Sequence, residues 1–208
     1  KDIFVETVLH KLDLYAHMIS LLVVNKLASI QVLTAAIKTT GNISHLRDPE
    51  TGKHLDRMSR YSRLIANSLA EKYNLSDSYI EHVFMFAPLH DIGKIGLPDS
   101  ILLKPSALNN EEKNIMNTHA IKGLEMVNEL LNNFGLANME HTGMLKNIVV
   151  AHHEAIDGSG YPYGLQGDAI PLEARIVAVA DIFDALTSRR CYKEAWSNEK
   201  AINVLKEL

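Results

Sequence analysis

The sequence predicts an all-α protein, a bundle of helices preceded by one long N-terminal helix. Apolar residues recur three and four positions apart, as in Ile80, Val83 and Phe84, and this is the spacing of one helix face. No segment shows the sustained alternation of apolar and polar residues that is typical of a strand. Helices are therefore predicted near 53–73, 77–90, 110–133, 139–153, 172–188 and 197–208.

The first helix is predicted over residues 1–44, because neither glycine nor proline occurs before Gly41. Its apolar residues follow alternating steps of four and three, and a lysine stands at one of these positions. The seam consists of Val5, Leu9, Leu12, Ala16, Ile19, Val23, Lys26, Ile30, Leu33 and Ile37. A seam of this period is typical of a coiled coil, so a homodimer through this helix is predicted. An amphipathic helix that lies on its own domain is the alternative.

Two domains are predicted, a linker or dimerisation helix over 1–44 and a globular domain over 45–208. Both ends look cut, since the chain starts without Met and stops within a helical pattern. A C-terminal truncation and a missing upstream domain are therefore expected.

Charge and composition limit the class of partner. The net charge of −4 argues against binding of polymeric nucleic acid, which requires a basic face. The single cysteine permits no intrachain disulfide and favours a cytoplasmic location. Asn25 and Lys26 lie in the middle of the most apolar long window, so no membrane span is predicted.

Histidine and aspartate residues are the part of the sequence that indicates its chemistry. The pairs His90–Asp91 and His152–His153 each follow an apolar helix. Asp181 lies in a helix that is apolar nearly all round, so its carboxylate needs a cation, hydrogen-bond donors or a shifted pKa. A salt bridge to Arg175 or to another core cation is the alternative. Imidazoles and carboxylates without thiolates suit Fe, Mn, Ni, Zn or Co.

The number of candidate ligands exceeds what one ion requires. The candidates are Glu50, His54, His90, Asp91, His119, His152, His153 and Asp181. Two ions that share a bridging carboxylate, or three ions, would use them, and paired ions can act on both oxygens of a phosphoryl displacement.

The order of these residues resembles that of the HD hydrolase superfamily, and the surrounding segments resemble its HD-GYP branch of bacterial cyclic-dinucleotide phosphodiesterases. The resemblance runs from about Asp48 to Trp196. The matching segments are Glu50–His54, Leu89–Gly96, Lys104-Pro105, His119, His152–Glu154, Asp157–Pro162, Ile170–Arg175 and Ala180–Ser188. The departures are Ser106, Ala155-Ile156 and Cys191, and none of them is a candidate ligand.

The resemblance implies an HD-domain helical bundle with two or three divalent transition metal ions. Fe or Mn is favoured, with Ni, Zn or Co as alternatives. One ion would be bound by His54, His90, Asp91 and Asp181. Asp91 would bridge to a second ion, bound also by His119, His152 and His153. Glu50 matches a glutamate that is associated with a third ion in some members.

The resemblance also implies a substrate and a mechanism. The substrate would be c-di-GMP, hydrolysed to pGpG and in part to GMP by a metal-bridging hydroxide, with Asp91 and Lys94 as the catalytic residues. Substrate contacts are implied at Lys94, Tyr161, Asp184, Arg190 and Lys193. The alternatives are the same chemistry on 3′3′-cyclic GMP-AMP, and a non-catalytic module that binds a cyclic dinucleotide or a protein. The missing upstream domain would be a sensor.

Overall fold

The computed structural model describes residues 2–47, 52–137, 139–188 and 194–206. The predicted all-α class is confirmed, since the regular structure in these ranges is helical apart from one isolated bridge between Asp157 and Gln166. The α-helices are α1 (Asp2–Arg47), α2 (Gly52–Tyr73), α3 (Asp77–Phe86), α4 (Asp99–Leu102), α5 (Asn110–Asn117), α6 (His119–Asn133), α7 (Thr142–Ala151), α8 (Leu172–Thr187) and α9 (Asn198–Leu205). Three 3₁₀ turns span Ala87–Leu89, Ile92–Gly96 and Gly167–Ala169.

The chain divides into two compact units, Lys1–Ala36 and Ile37–Leu208. The first unit is the N-terminal part of α1, and its apolar side chains between Val8 and Val24 are exposed. By length and composition alone, the stretch Thr7–Asn25 is long and apolar enough to cross a membrane. The predicted absence of a membrane span and the predicted domain boundary at residue 44 both stay predictions.

The second unit is built on α2, α7 and α8. Helix α2 packs against α3 and α8, and α7 packs against α6 and α8. The facing side chains are apolar and fully buried, among them Met58 on α2, Ile148 on α7 and Val177 on α8. Burial of such side chains is the main favourable term in folding, so this core fixes the ends of the helices that carry the candidate ligands.

Two of the predicted helices end early or divide at residues next to candidate ligands. The predicted helix 77–90 ends at Phe86 and continues as a 3₁₀ turn, because Pro88 has no backbone N–H for the α-helical ladder. The predicted helix 110–133 divides at Thr118, whose hydroxyl donates a 2.6 Å hydrogen bond to the Ile115 carbonyl. Asn109 caps α5 in a capping box with Glu112. These ends matter because His90 and His119 lie directly at them.

Two glycines allow the 3₁₀ turn Ile92–Gly96 to lie directly on α6. A Cβ atom on Gly93 would meet the His119 carbonyl oxygen at 1.9 Å and the Gly123 nitrogen at 2.4 Å. A Cβ atom on Gly123 would meet the Gly93 nitrogen at 3.2 Å, and it would also meet Val149 Cγ1 on α7 at 2.6 Å. Only residues without side chains fit this crossing, which brings the segment that carries Asp91 against the start of α6.

Candidate metal centre

Five separated segments bring seven of the eight candidate ligands together. His54 lies near the start of α2, and His90 and Asp91 join the first two 3₁₀ turns. His119 begins α6, His152 and His153 follow α7, and Asp181 lies in α8. Among the described residues they form two groups, each with ligand atoms within 4.8 Å of one another. The first group is His54, His90 and Asp181, and the second is Asp91, His119, His152 and His153.

The Asp91 carboxylate links the two groups. Its Oδ1 lies 3.2 Å from His119 Nε2 and 3.6 Å from His152 Nε2 in the second group. Its Oδ2 lies 3.2 Å from His90 Nε2 in the first group and 2.7 Å from Lys94 Nζ. One oxygen is therefore directed to each group, which is the arrangement that a bridging carboxylate requires.

The other ring nitrogen of each central histidine is bound to backbone. His90 Nδ1 lies 2.9 Å from the Ala87 carbonyl, His119 Nδ1 lies 2.8 Å from the Met116 carbonyl, and His152 Nδ1 lies 3.1 Å from the Ile148 carbonyl. A carbonyl oxygen only accepts, so in the neutral rings Nδ1 carries the proton and Nε2 keeps its lone pair. Such a hydrogen bond is the usual support of a metal-binding histidine.

The inward-facing atoms lack hydrogen bonds although they are buried. These atoms are Nε2 of His90, His119 and His152, together with Asp91 Oδ1. A buried polar atom that is left unsatisfied costs about 1–3 kcal/mol. The Nε2 lone pair of His119 faces Asp91 Oδ1 at 3.2 Å. Because both atoms carry lone pairs, a cation bound between them would stabilise this arrangement. The donor set thus fits divalent transition ions, which accept imidazole and carboxylate ligands.

Burial and the charges of neighbouring groups shift the pKa values of these residues in both directions. Burial lowers the pKa of His90, but the charges of Asp91 and Asp181 outweigh it and raise the pKa to about 9. Burial opposes the ionisation of Asp91, yet Lys94 and the adjacent histidines hold its pKa well below its usual range. Burial, reinforced by His152, lowers the pKa of His153 to about 2. His153 is therefore neutral and able to act as a ligand.

The predicted substrate contacts lie in different places. Lys94 is partly buried beside Asp91, and Tyr161 stacks on His153 with ring centroids 4.7 Å apart. Asp184 is buried, and hydrogen bonds from His54 and Arg57 outweigh its burial and lower its pKa to about 2. Three further predicted site residues lie outside the described residues, namely Glu50, Arg190 and Lys193.

The loop that carries Tyr161 is held by Glu154, which is buried. The two carboxylate oxygens of Glu154 accept hydrogen bonds from the backbone N–H groups of Tyr163 at 2.7 Å and Leu165 at 2.9 Å. The Tyr161 N–H donates to the His153 carbonyl at 3.1 Å. A Cβ atom on Gly160 would meet the Ala155 nitrogen at 2.2 Å, so the loop returns to the end of α7 only with glycine there.

Arg57 binds Asp184, a contact that was not predicted from the sequence. Its position three residues after His54 was an available signal, because residues three apart share a helix face. The alternative pairing of Asp181 with Arg175 is excluded, since Arg175 instead binds Asp168 at 3.0 Å.

Comparison with known proteins places this site in a family. The profile described as HD domain matches residues 45–208. A probable cyclic di-GMP phosphodiesterase of Vibrio cholerae is 46% identical over 80% of this chain and 38% of its own length. The cyclic di-GMP phosphodiesterase response regulator RpfG of Xanthomonas campestris is 49% identical over 76% of this chain and 39% of its own length.

A third relative carries a different substrate in its name. The 3′3′-cGAMP-specific phosphodiesterase 2 of Vibrio cholerae is 41% identical over 76% of this chain and 28% of its own length. The chain thus spans less than two fifths of the length of each of these relatives. HD domains bind divalent metals, and the two histidine and aspartate groups agree with this. The chain belongs to the HD domain family, within which its relatives are of the HD-GYP type, as the resemblance predicted.

Proposed function

We propose that the chain is a metal-dependent phosphodiesterase that hydrolyses a cyclic dinucleotide, with c-di-GMP as the favoured substrate. Addition of water across one 3′–5′ phosphodiester opens the ring and gives linear pGpG, and hydrolysis of the second bond gives GMP. The observation that carries the proposal is the Asp91 carboxylate, which directs one oxygen to each of two groups of imidazoles and carboxylates.

The proposed cofactors are two divalent transition ions, Fe or Mn. The first ion is assigned to His54, His90, Asp91 and Asp181. The second is assigned to Asp91, His119, His152 and His153. A third ion at Glu50 stays a prediction. The buried Nε2 atoms without hydrogen bonds support the first two assignments.

The chain's own residues would orient the substrate and stabilise charge. When bound, the ions would supply Lewis acidity that activates water and neutralises phosphoryl charge. Lys94, which lies 2.7 Å from Asp91, is proposed to place a positive charge at the phosphoryl oxygens. Tyr161, held against His153, is proposed to line the substrate site. Arg190 and Lys193 stay predicted contacts.

The choice of c-di-GMP as the favoured substrate rests on the substrates in the names of the relatives. Two relatives named for cyclic di-GMP are 46% and 49% identical to this chain, above the 41% of the 3′3′-cGAMP relative, and the two classes overlap below that value. The second cyclic dinucleotide therefore remains a candidate. A non-catalytic binding module would be favoured by the loss of a ligand, yet all eight candidate ligands are present in the sequence.

The test combines metal analysis with product analysis. The chain is purified without oxygen, its metal content is measured, and it is incubated separately with c-di-GMP and 3′3′-cyclic GMP-AMP. We expect about two ions per chain and chromatographic appearance of pGpG. Asp91→Ala should lower metal content and abolish turnover, because it removes the link between the two groups.

Arg60→Gln is the matched control, since Arg60 is exposed on α2 and pairs with Asp56. It should keep the metal content and turnover of the wild type. Full metal occupancy with normal turnover in Asp91→Ala would contradict the assignment of Asp91. Binding of either dinucleotide without hydrolysis by the metal-loaded chain would favour the non-catalytic module.

The N-terminal helix is proposed to form a parallel homodimer and to connect the domain to an upstream sensor in the cytoplasm. Four seam residues with described side chains, Leu9, Leu12, Ile19 and Val23, each expose more than half of their surface. A partner helix with the same seam would bury them. Lys11 and Asp13 lie within the stretch that could span a membrane, and charges are costly there.

The double variant Ile19→Glu/Val23→Glu tests the dimer. It should change a dimer into a monomer in light scattering while the metal content stays the same. A wild-type chain that is monomeric at tens of micromolar would contradict the dimer, and partitioning into lipid vesicles would contradict the predicted absence of a membrane span.

A further inference from the structure

Two carboxylates on α8 contact the two nitrogens of one imidazole. Asp184 Oδ2 lies 2.7 Å from His54 Nδ1, and Asp181 Oδ1 lies 3.9 Å from His54 Nε2. The two aspartates are three positions apart and therefore share one face of α8. Because the Asp184 carboxylate only accepts hydrogen bonds, Nδ1 is the donor in this contact. In the neutral ring, Nε2 then presents its lone pair on the side of Asp181.

The Asp184 carboxylate is saturated with donors. Oδ2 accepts from His54 Nδ1 and from Arg57 Nη2, the latter at 3.0 Å. Oδ1 accepts from Arg57 Nε and from Ser188 Oγ, the latter at 3.2 Å. A carboxylate has about four acceptor positions, and these four contacts use them. Asp184 is also only 1% exposed, so it has no acceptor position for a substrate.

Arg57 fixes the plane of this carboxylate. It lies one helical turn after His54 on α2, and its Nε and Nη2 bind different oxygens of Asp184. Such a two-point guanidinium contact restricts both the position and the rotation of a carboxylate. Arg57 thus holds the Asp184 carboxylate in place, and Asp184 in turn holds the His54 ring.

We infer that Arg57 and Asp184 are positioning residues that hold His54 for an ion at the first group, and that Asp184 does not contact the substrate. This inference rests on the proposed function, because it concerns an ion that His54 would bind. Carboxylates that hold a metal-binding histidine typically change metal affinity 10–100-fold when they are replaced. The second group, which does not include His54, should be unaffected.

The test measures Mn²⁺ binding to the full chain after removal of metals with a chelator, using electron paramagnetic resonance to count free ions. His119→Ala identifies the binding step of the second group. Asp184→Asn should weaken the other step about 10–100-fold and leave the step of the second group unchanged. Arg57→Gln should weaken the same step, and Arg57→Lys should fall between Arg57→Gln and the wild type because it keeps the charge without the two-point contact. Arg60→Gln, on the same helix, should match the wild type.

Selectivity for one step separates positioning from a general loss of structure. The inference is overturned if Asp184→Asn and Arg57→Gln leave both steps unchanged, or if they weaken both steps equally while lowering the melting temperature. Arg57→Lys keeps the test decisive if Asp184→Asn does not fold. A wild-type chain that binds neither Mn²⁺ nor Fe²⁺ would overturn the proposed function. A wild-type chain that binds two ions and hydrolyses a cyclic dinucleotide, with both steps unchanged in Asp184→Asn, would overturn this inference alone.

Discussion

The substitution Gly93→Ala tests how the crossing of the turn Ile92–Gly96 over α6 supports the metal centre. The new Cβ atom would lie 1.9 Å from the His119 carbonyl oxygen and 2.9 Å from Gly123 Cα. Real Cβ atoms essentially never approach a heavy atom closer than 3.0 Å. Because the opposing atoms are all backbone, no side chain can rotate away, and the turn must move by about 1 Å relative to α6.

This movement has two measurable consequences. Overpacking of this kind costs about 1–3 kcal/mol in the free energy of unfolding. The movement also separates Asp91 from His119, because Asp91 lies only two residues before Gly93. Asp91 Oδ1 and His119 Nε2 are 3.2 Å apart in the wild type. Metal sites tolerate deviations of only about 0.2 Å, so Mn²⁺ affinity at the second group should fall at least about tenfold. Urea unfolding and Mn²⁺ titration measure the two effects.

Gly143→Ala is the matched control. A Cβ atom on Gly143 would meet nothing within 4 Å, and Gly143 lies in α7, the helix that leads to His152. The replacement should change the free energy of unfolding by less than about 0.5 kcal/mol, because Gly143 lies in the first turn of α7 and not in its middle, and it should leave Mn²⁺ affinity unchanged. If Gly93→Ala matches the wild type in both measurements, the steric reasoning is wrong.

Three further predictions follow from the site. Lys94→Ala should keep its metal content and lose about 10²–10³-fold in turnover, and an unchanged kcat would make Lys94 a lysine without a role in the reaction. Chelation should lower the melting temperature by roughly 5–10 °C for an ion held at about 100 times its Kd, which Mn²⁺ should restore. Glu154→Gln should cost about 1–3 kcal/mol in urea unfolding, because one amide must face a backbone N–H. Asp168→Asn is the control for Glu154→Gln because it changes an exposed carboxylate, and it should cost less than about 1 kcal/mol in urea unfolding.

The fold class predicted from the sequence is confirmed, and seven of the eight candidate ligands lie in two groups, while their role as metal ligands stays a prediction. Helical periodicity is a local property, so α2 was predicted within one residue of its observed start at Gly52. The apolar sequence around Asp181 required a compensating group, and the structure places Asp181 beside His54 and His90. The all-α class was therefore predictable from pattern alone.

Other features depend on tertiary contacts that no local pattern encodes. Arg57 looks like any arginine on the polar face of a helix, and its contact with Asp184 spans 127 positions of the chain. The proton positions of His90 and His119 depend on carbonyl groups left available at helix ends. The closeness of Gly93 to α6 likewise follows from packing and not from the turn sequence itself.

Because the ligands are far apart along the chain, bound ions would also restrict the unfolded state. His54 and Asp181, which the first ion would join, are 127 positions apart, and His90, His119 and His152 lie between them. Ions bound as proposed would close long loops, which is the effect that disulfides have in secreted proteins. A chain whose one cysteine is Cys191 has no such internal crosslink. Metal supply in the cell would then set how long the domain resists unfolding and proteolysis, before any substrate is present.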